Sequence, residues 1–243
     1  MRRFLAILIF LLPLAAVAAT APPAIMAAVR ALDPAGHVDQ ITPGPVPGLT
    51  TVSIGRRLLV VSNSGRYVFD GQVFDLKTGT DLTVEHKNAW RLRLLSSIPV
   101  TTRITFAPAH PAFTVAVFTD VDCAYCRVLA SHLGGYLADG IALQFIASPL
   151  SSRGTPTYTA AENVWCAVHP HKAFIKAYSG GVPAPTPRPC AVIVAHDSQV
   201  AHAMGLPGTP GLIGPHGAVL GGYLSPRDLL ARLRMDAATE PSP

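Results

Sequence analysis

The stretch AFTVAVFTDVDCAYCRVL, Ala112 to Leu129, constrains this chain more than any other. A mostly apolar run, Ala112 to Phe118, is followed within a few residues by two cysteines, Cys123 and Cys126, and these open a helical pattern. That run, AFTVAVF, reads as a buried strand. The residues that follow alternate in type. Cys123 to Ala138 has Leu129, Leu133 and Leu137 on one helical face, with Gly140 as the carboxy-terminal cap. IALQFIAS is a second strand, TYTAAENVWCAV and HKAFIKAYS are helical, and GGVPAPTPRPC is a proline-rich loop. A helix through DSQVAHAM precedes GLPGTPGLIGPHGAVLGGY, whose two short apolar runs flank a Pro215-His216-Gly217 turn and predict a hairpin. SPRDLLARLRM closes the chain as a helix, with Ser225 as its cap and Asp228 completing a capping-box pattern.

Strand, helix, strand, helices, hairpin, helix is the thioredoxin order, and it gives the cysteine pair a chemical reading. A thiol attacks a disulfide as its thiolate, so a working redox cysteine needs surroundings that favour negative charge. Cys123, in the first turn of a helix, meets unpaired backbone N–H groups and the positive end of the helix dipole, with Arg127 one turn on. Cys126 lies on the same face but deeper, where it can attack a mixed disulfide and release the partner. Asp122 opposes the thiolate if turned inward and is harmless if it faces solvent or caps the helix; the sequence leaves both open. A structural zinc site wants four ligands, usually including a second closely spaced pair, which Cys166 and Cys190 do not form. No metal or cofactor is therefore expected, and His169, His171, His196 and His202 are left unassigned. Cys166 and Cys190 flank the proline-rich excursion and read as a structural disulfide, the rival being a second exchanging pair. In GTPGLI, Thr209-Pro210 precedes a strand, and a cis bond there would set the Thr209 backbone beside the sulfurs to pair with an extended client chain.

The first half of the 243-residue chain has a different texture. MRRFLAILIFLLPLAAVAAT places Arg2 and Arg3 before an apolar core and small residues, the pattern of a cleaved secretory signal at residues 1–19. The run is shorter than the roughly 20 residues that a bilayer needs and contains Pro13. Losing Arg2 and Arg3 takes the formal charge from +5 to +3, too mild to argue for nucleic acid. PPAIMAAVRAL predicts a short helix with Ile25, Val29 and Leu32 at helical spacing, and TPGPVPG breaks regular structure. Residues 49–83 read as a small meander of about four strands, with a core thin enough that pairing with a second copy is a usual remedy. VEHKNAWRLRLLSS predicts a helical connector, and residues 84–105 are taken as a linker between a unit at 20–83 and one at 106–243.

At these residues the chain resembles the periplasmic thiol:disulfide interchange proteins of the DsbC/DsbG family. GRYVFDGQVFDL is similar to the family's dimerisation-domain strands, VFTDVDCAYCRVL to its active site, VWCAV and RPC to its second disulfide, and GLPGTPGLI to its cis-proline loop. The dipeptide Ala124-Tyr125 stands where family members carry Gly-Tyr or Pro-Tyr. The resemblance implies an α+β chain: a small amino-terminal β-rich dimerisation domain joined by a helical linker to a thioredoxin-like domain. It implies a V-shaped homodimer in the periplasm whose cleft holds misfolded, disulfide-containing exported proteins. It also implies that Cys123 attacks, Cys126 resolves, Tyr125, Thr209 and Pro210 meet the client, and a membrane reductase of the DsbD type keeps the pair reduced. Two other functions use the same sequence: a redox-independent holdase whose cysteines brace the fold, and a reductase of sulfenylated cysteines.

Overall fold

The computed structural model describes residues 22–186 and 190–238, so the expected signal segment lies outside the described residues. The chain opens with α1 (Pro23–Leu32), started by prolines that need no N–H partner, and buries Ile25 and Val29 while Leu32 faces solvent. Four strands follow as an antiparallel meander in the order β1-β2-β3-β4: β1 (Gln40–Pro43), β2 (Leu49–Ile54), β3 (Arg57–Ser62) and β4 (Val68–Asp70). β1 overlaps the segment expected to be irregular. It is an edge strand paired only with β2, so Pro43 at its end costs the ladder little. Ile25, Val29, Val52, Ile54, Leu59 and Val61 form the core of this unit. A short hairpin, β5 (Phe74–Asp75) and β6 (Thr80–Asp81), leads into α2 (Leu82–Ser96), where the Asp81 carboxylate accepts the N–H groups of Thr83 and Val84.

A 3₁₀ turn at Val100–Thr102 precedes β7 (Ile104–Phe106), and the expected boundary at residue 105 falls inside this strand. The main sheet comprises β7, β8 (Phe113–Thr119), β9 (Ile141–Ala147), β10 (Gly211–Ile213) and β11 (Val219–Gly221), in the order β11-β10-β8-β9-β7. β8 and β9 run parallel and the other pairs antiparallel. Alternation along β8 divides the core: Val115 and Val117 face one layer, Ala116 and Phe118 the other. The first layer holds α3 (Ala124–Ser131), α4 (Leu133–Ala138), α5 (Pro156–Trp165), α6 (Pro170–Tyr178) and α8 (Pro226–Ala238). The second is covered by α7 (Ala191–Met204) through Val200, Ala201 and Met204, with Leu94 and Leu95 of α2 beside them. The connector therefore packs as part of the second layer. Arg91 binds it further, donating to the carbonyls of Met204 and Gly217.

The single helix expected over 123–138 is two, separated at His132. Tyr136, rather than Leu137, is the fully buried residue of the second piece. Gly135 explains the placement: a Cβ there would lie 2.8 Å from Cγ of Pro226, so the missing side chain lets the start of α8 approach α4.

Candidate active site

The site forms where β8 ends and α3 begins. Asp120, buried at the strand end, accepts the backbone N–H groups of Asp122 (2.9 Å) and Leu150 (2.8 Å), tying the turn before the cysteines to the loop after β9. Cys123 is the N-cap of α3, and its sulfur accepts the Cys126 N–H at 3.2 Å. On its other side the Cys123 thiol donates to the Thr209 carbonyl at 3.2 Å, and the Thr209–Pro210 peptide is cis. The structure thus brings Cys123, Cys126, Thr209 and Pro210 together from two segments far apart in sequence. Both cysteines are free thiols.

The two sulfurs sit in unequal surroundings. Cys123 is half-buried, whereas Cys126 is 1% exposed within the first core layer. Burial, reinforced by its hydrogen bond with Cys123, pushes the Cys126 thiol up to about 12; hydrogen bonds from the Thr119 side chain and the Asp120 backbone oppose the shift. Asp122 faces solvent and forms an ion pair with Arg127 at 3.2 Å, while Arg127 Nε binds the Val121 carbonyl. The Arg127 charge is thus spent on Asp122.

Tyr125 is 65% exposed and stacks on Tyr223, with centroids 6.3 Å apart; Tyr223 also abuts His132. Tyr223 and Tyr178, which sequence reasoning missed, reach the neighbourhood of the cysteines from separate elements, so nothing local to them signals it, whereas Thr119 ends β8 only four residues before Cys123. Thr209 Oγ1 is buried without a hydrogen-bond partner among the described residues. Away from Cys123 and Cys126, Cys166 and Cys190 are joined in a disulfide with Cα atoms 5.7 Å apart, linking the end of α5 to the start of α7. Among the described residues no cluster of His, Cys, Asp or Glu could hold a metal ion, and no helix is long and apolar enough to cross a membrane.

Comparison with known proteins follows the two units. The disulfide bond isomerase protein N-terminal domain matches residues 16–84, and the thioredoxin-like domain matches residues 102–235. The thiol:disulfide interchange protein DsbC of Haemophilus influenzae is 28% identical, covering 81% of this chain and 84% of that protein. The DsbC of Escherichia coli K12 is 27% identical, over 78% of each. The chain belongs to the DsbC family of thiol:disulfide interchange proteins. As a DsbC-family member it is an enzyme of thiol–disulfide exchange, a protein disulfide isomerase/oxidoreductase. Among solved structures, Proteus mirabilis ScsC in a transitional conformation aligns with a TM-score of 0.51 at 12% identity, covering 63% of this DsbC-family chain and 80% of that one. That likeness concerns the fold alone.

Proposed function

We propose that Cys123 is the attacking sulfur and Cys126 the resolving sulfur of a periplasmic isomerase/reductase acting on non-native disulfides in exported proteins. The inequality of the pair carries the assignment: Cys123 is reachable at a helix N-terminus beside Thr209, and Cys126 is buried with its thiol pushed up to about 12. The Cys123 thiolate attacks a client disulfide, that S–S bond breaks, and one client sulfur leaves as a thiolate that takes up a proton. A second client thiol can then attack the mixed disulfide, which re-pairs the client and restores Cys123. Alternatively Cys126 attacks, and two electrons pass to the client. In this reading Tyr125, Thr209 and Pro210 bind the client chain, the Thr209 carbonyl beside the sulfur being available to a client N–H.

Residues 1–19 act as a cleaved export signal, and a membrane reductase of the DsbD type returns the pair to dithiol. The amino-terminal unit pairs two copies. Exposed Tyr67, Phe69, Phe74 and Leu76 lie just before, on and just after its edge strand β4, an apolar surface that supports such pairing.

Refolding of a scrambled multi-disulfide substrate tests the assignment. Cys123→Ser should abolish it, and Cys126→Ser should accumulate a covalent enzyme–client complex on non-reducing gels. Normal refolding by Cys123→Ser would sink the reading. Suppression of aggregation of a cysteine-free client that persists in the double variant would instead favour a holdase.

A further inference from the structure

Helix α3 is apolar on two faces, one more than a helix at the surface of a folded chain needs. Cys126, Leu129 and Ala130 point into the first core layer. Tyr125 and Val128, three residues apart and so neighbours on the helix surface, are exposed instead, Val128 at 39%. His132, which caps the end of α3, continues the stripe by one turn. A second segment widens it. Tyr223, between β11 and α8, lays its ring nearly parallel to that of Tyr125, at 24°, and its centroid stands 6.2 Å from that of His132. His132 Nδ1 donates to the Val128 carbonyl at 2.9 Å and has the Tyr223 hydroxyl 3.4 Å away, so the histidine sets Tyr223 against α3.

The segment carrying Tyr223 is held on both sides. The Leu224 carbonyl accepts the hydroxyl of buried Tyr136, and Gly222 lies against the cis-proline loop, where a Cβ on it would stand 3.7 Å from the Pro210 carbonyl oxygen. The patch thus begins at Tyr125, within the first turn after Cys123, and adjoins the loop whose Thr209 carbonyl meets the Cys123 sulfur. Exposed rings fixed in this way offer flat contact area at a small entropic cost, and stack best on another ring. We infer that Tyr125 and Tyr223, with Val128 beside them, form a side-chain subsite, and that its occupant is an aromatic residue of the client two positions from the cysteine under attack. The spacing follows from the client's backbone. A chain extended along Thr209 points alternate side chains to opposite faces and rises about 3.3 Å per residue, so the next side chain on the face of the client cysteine lies about 7 Å along, whereas the immediate neighbours point away. Tyr223 is then a specificity-determining residue, which holds the Tyr125 ring and extends it.

This inference rests on Cys123 being the attacking sulfur, and the experiment separates the two. Short peptides, each with one cysteine held as a mixed disulfide with thionitrobenzoate, are mixed with the reduced full chain. The Cys123 thiolate attacks the peptide sulfur, the bond from that sulfur to thionitrobenzoate breaks, and thionitrobenzoate leaves as its coloured thiolate. Cys126 then loses its proton and displaces the peptide, which leaves as a thiol while the enzyme pair is oxidised. Phenylalanine two positions before or two positions after the cysteine should, at one of the two, speed colour release about tenfold over serine at the same place, the size expected for a stacked and buried ring. Tyr223→Ala and Tyr125→Ala should bring that ratio close to one, and Tyr223→Phe, which keeps the ring, should preserve it. A distorted site slows both peptides alike, so the ratio reads recognition rather than folding. Equal rates for phenylalanine and serine at both positions, a preference confined to the cysteine's immediate neighbours, or a ratio that survives either alanine substitution would overturn the proposal. Absence of release from every peptide, or an acid-quenched adduct that maps to Cys126 in place of Cys123, would instead remove the assignment of the attacking sulfur.

Discussion

At the scale of single residues, the two active-site thiols differ more in accessibility than in chemistry. Iodoacetamide near neutral pH should label one thiol per reduced chain, at Cys123. In Cys123→Ser, Cys126 should stay unlabelled until strongly alkaline pH, because burial holds its thiol near 12. Peptide mapping by mass spectrometry reads both outcomes. Asp197 offers a second prediction. It lies 1% exposed on α7 with His196 Nδ1 at 3.5 Å, and burial pushes its carboxyl up to about 6 against the partial opposition of His196, the Ala147 N–H and Arg103. A carboxyl raised on folding is bound to its proton more tightly in the native state, so its contribution is present below the ordinary value of 3.8 and is lost as pH rises through about 6. Urea midpoints should therefore fall between about pH 4 and about pH 6, and Asp197→Asn should flatten that segment of the curve.

At the scale of elements, two neighbouring glycines in α4 should respond oppositely. Gly134 has open space where a Cβ would go, so Gly134→Ala should raise stability by up to about 1 kcal/mol through helix propensity. Gly135→Ala drives a methyl against the stiff ring of Pro226 and should cost about 1–3 kcal/mol. Denaturant melts of the two variants decide this. The disulfide between Cys166 and Cys190 closes a loop with a sequence separation of 24, and replacing both cysteines by alanine should lower stability by about 3–4 kcal/mol in the chain-entropy account. Alkylation of Cys123 should persist in that variant below its new melting midpoint.

At the scale of the whole molecule, pairing of two copies is argued from the amino-terminal unit. Its core draws on six buried side chains, while Phe69 at 56% exposure and Leu76 at 92% are left in water near a sheet edge. Phe69→Lys combined with Leu76→Lys should shift the mass in solution from two copies to one, read by light scattering. Cys123 labelling should be unchanged, while refolding of scrambled substrates falls. A wild-type chain that is monomeric at micromolar concentration would defeat the pairing.

What the sequence by itself determined is local: the strand-to-helix junction at Val117–Leu129, the spacing of Cys123 and Cys126, the Thr209-Pro210 step and the order of elements. Each follows from neighbours a few residues apart, through hydrophobic period, capping chemistry or turn residues. The reading failed where distant chain decides. β1 forms despite Pro43 because β2 offers an edge, and β7 enters the sheet because β9 pairs with it. The expected helix breaks at His132, and Gly135 lets α8 come close to its second piece. The hydroxyl of Tyr178 meets Thr119 across 59 residues of chain, and the carbonyl of Thr209 meets Cys123 across 86. Such contacts carry no periodic signature, because burial in a shared core, rather than any propensity of the segments, sets which side chains face each other.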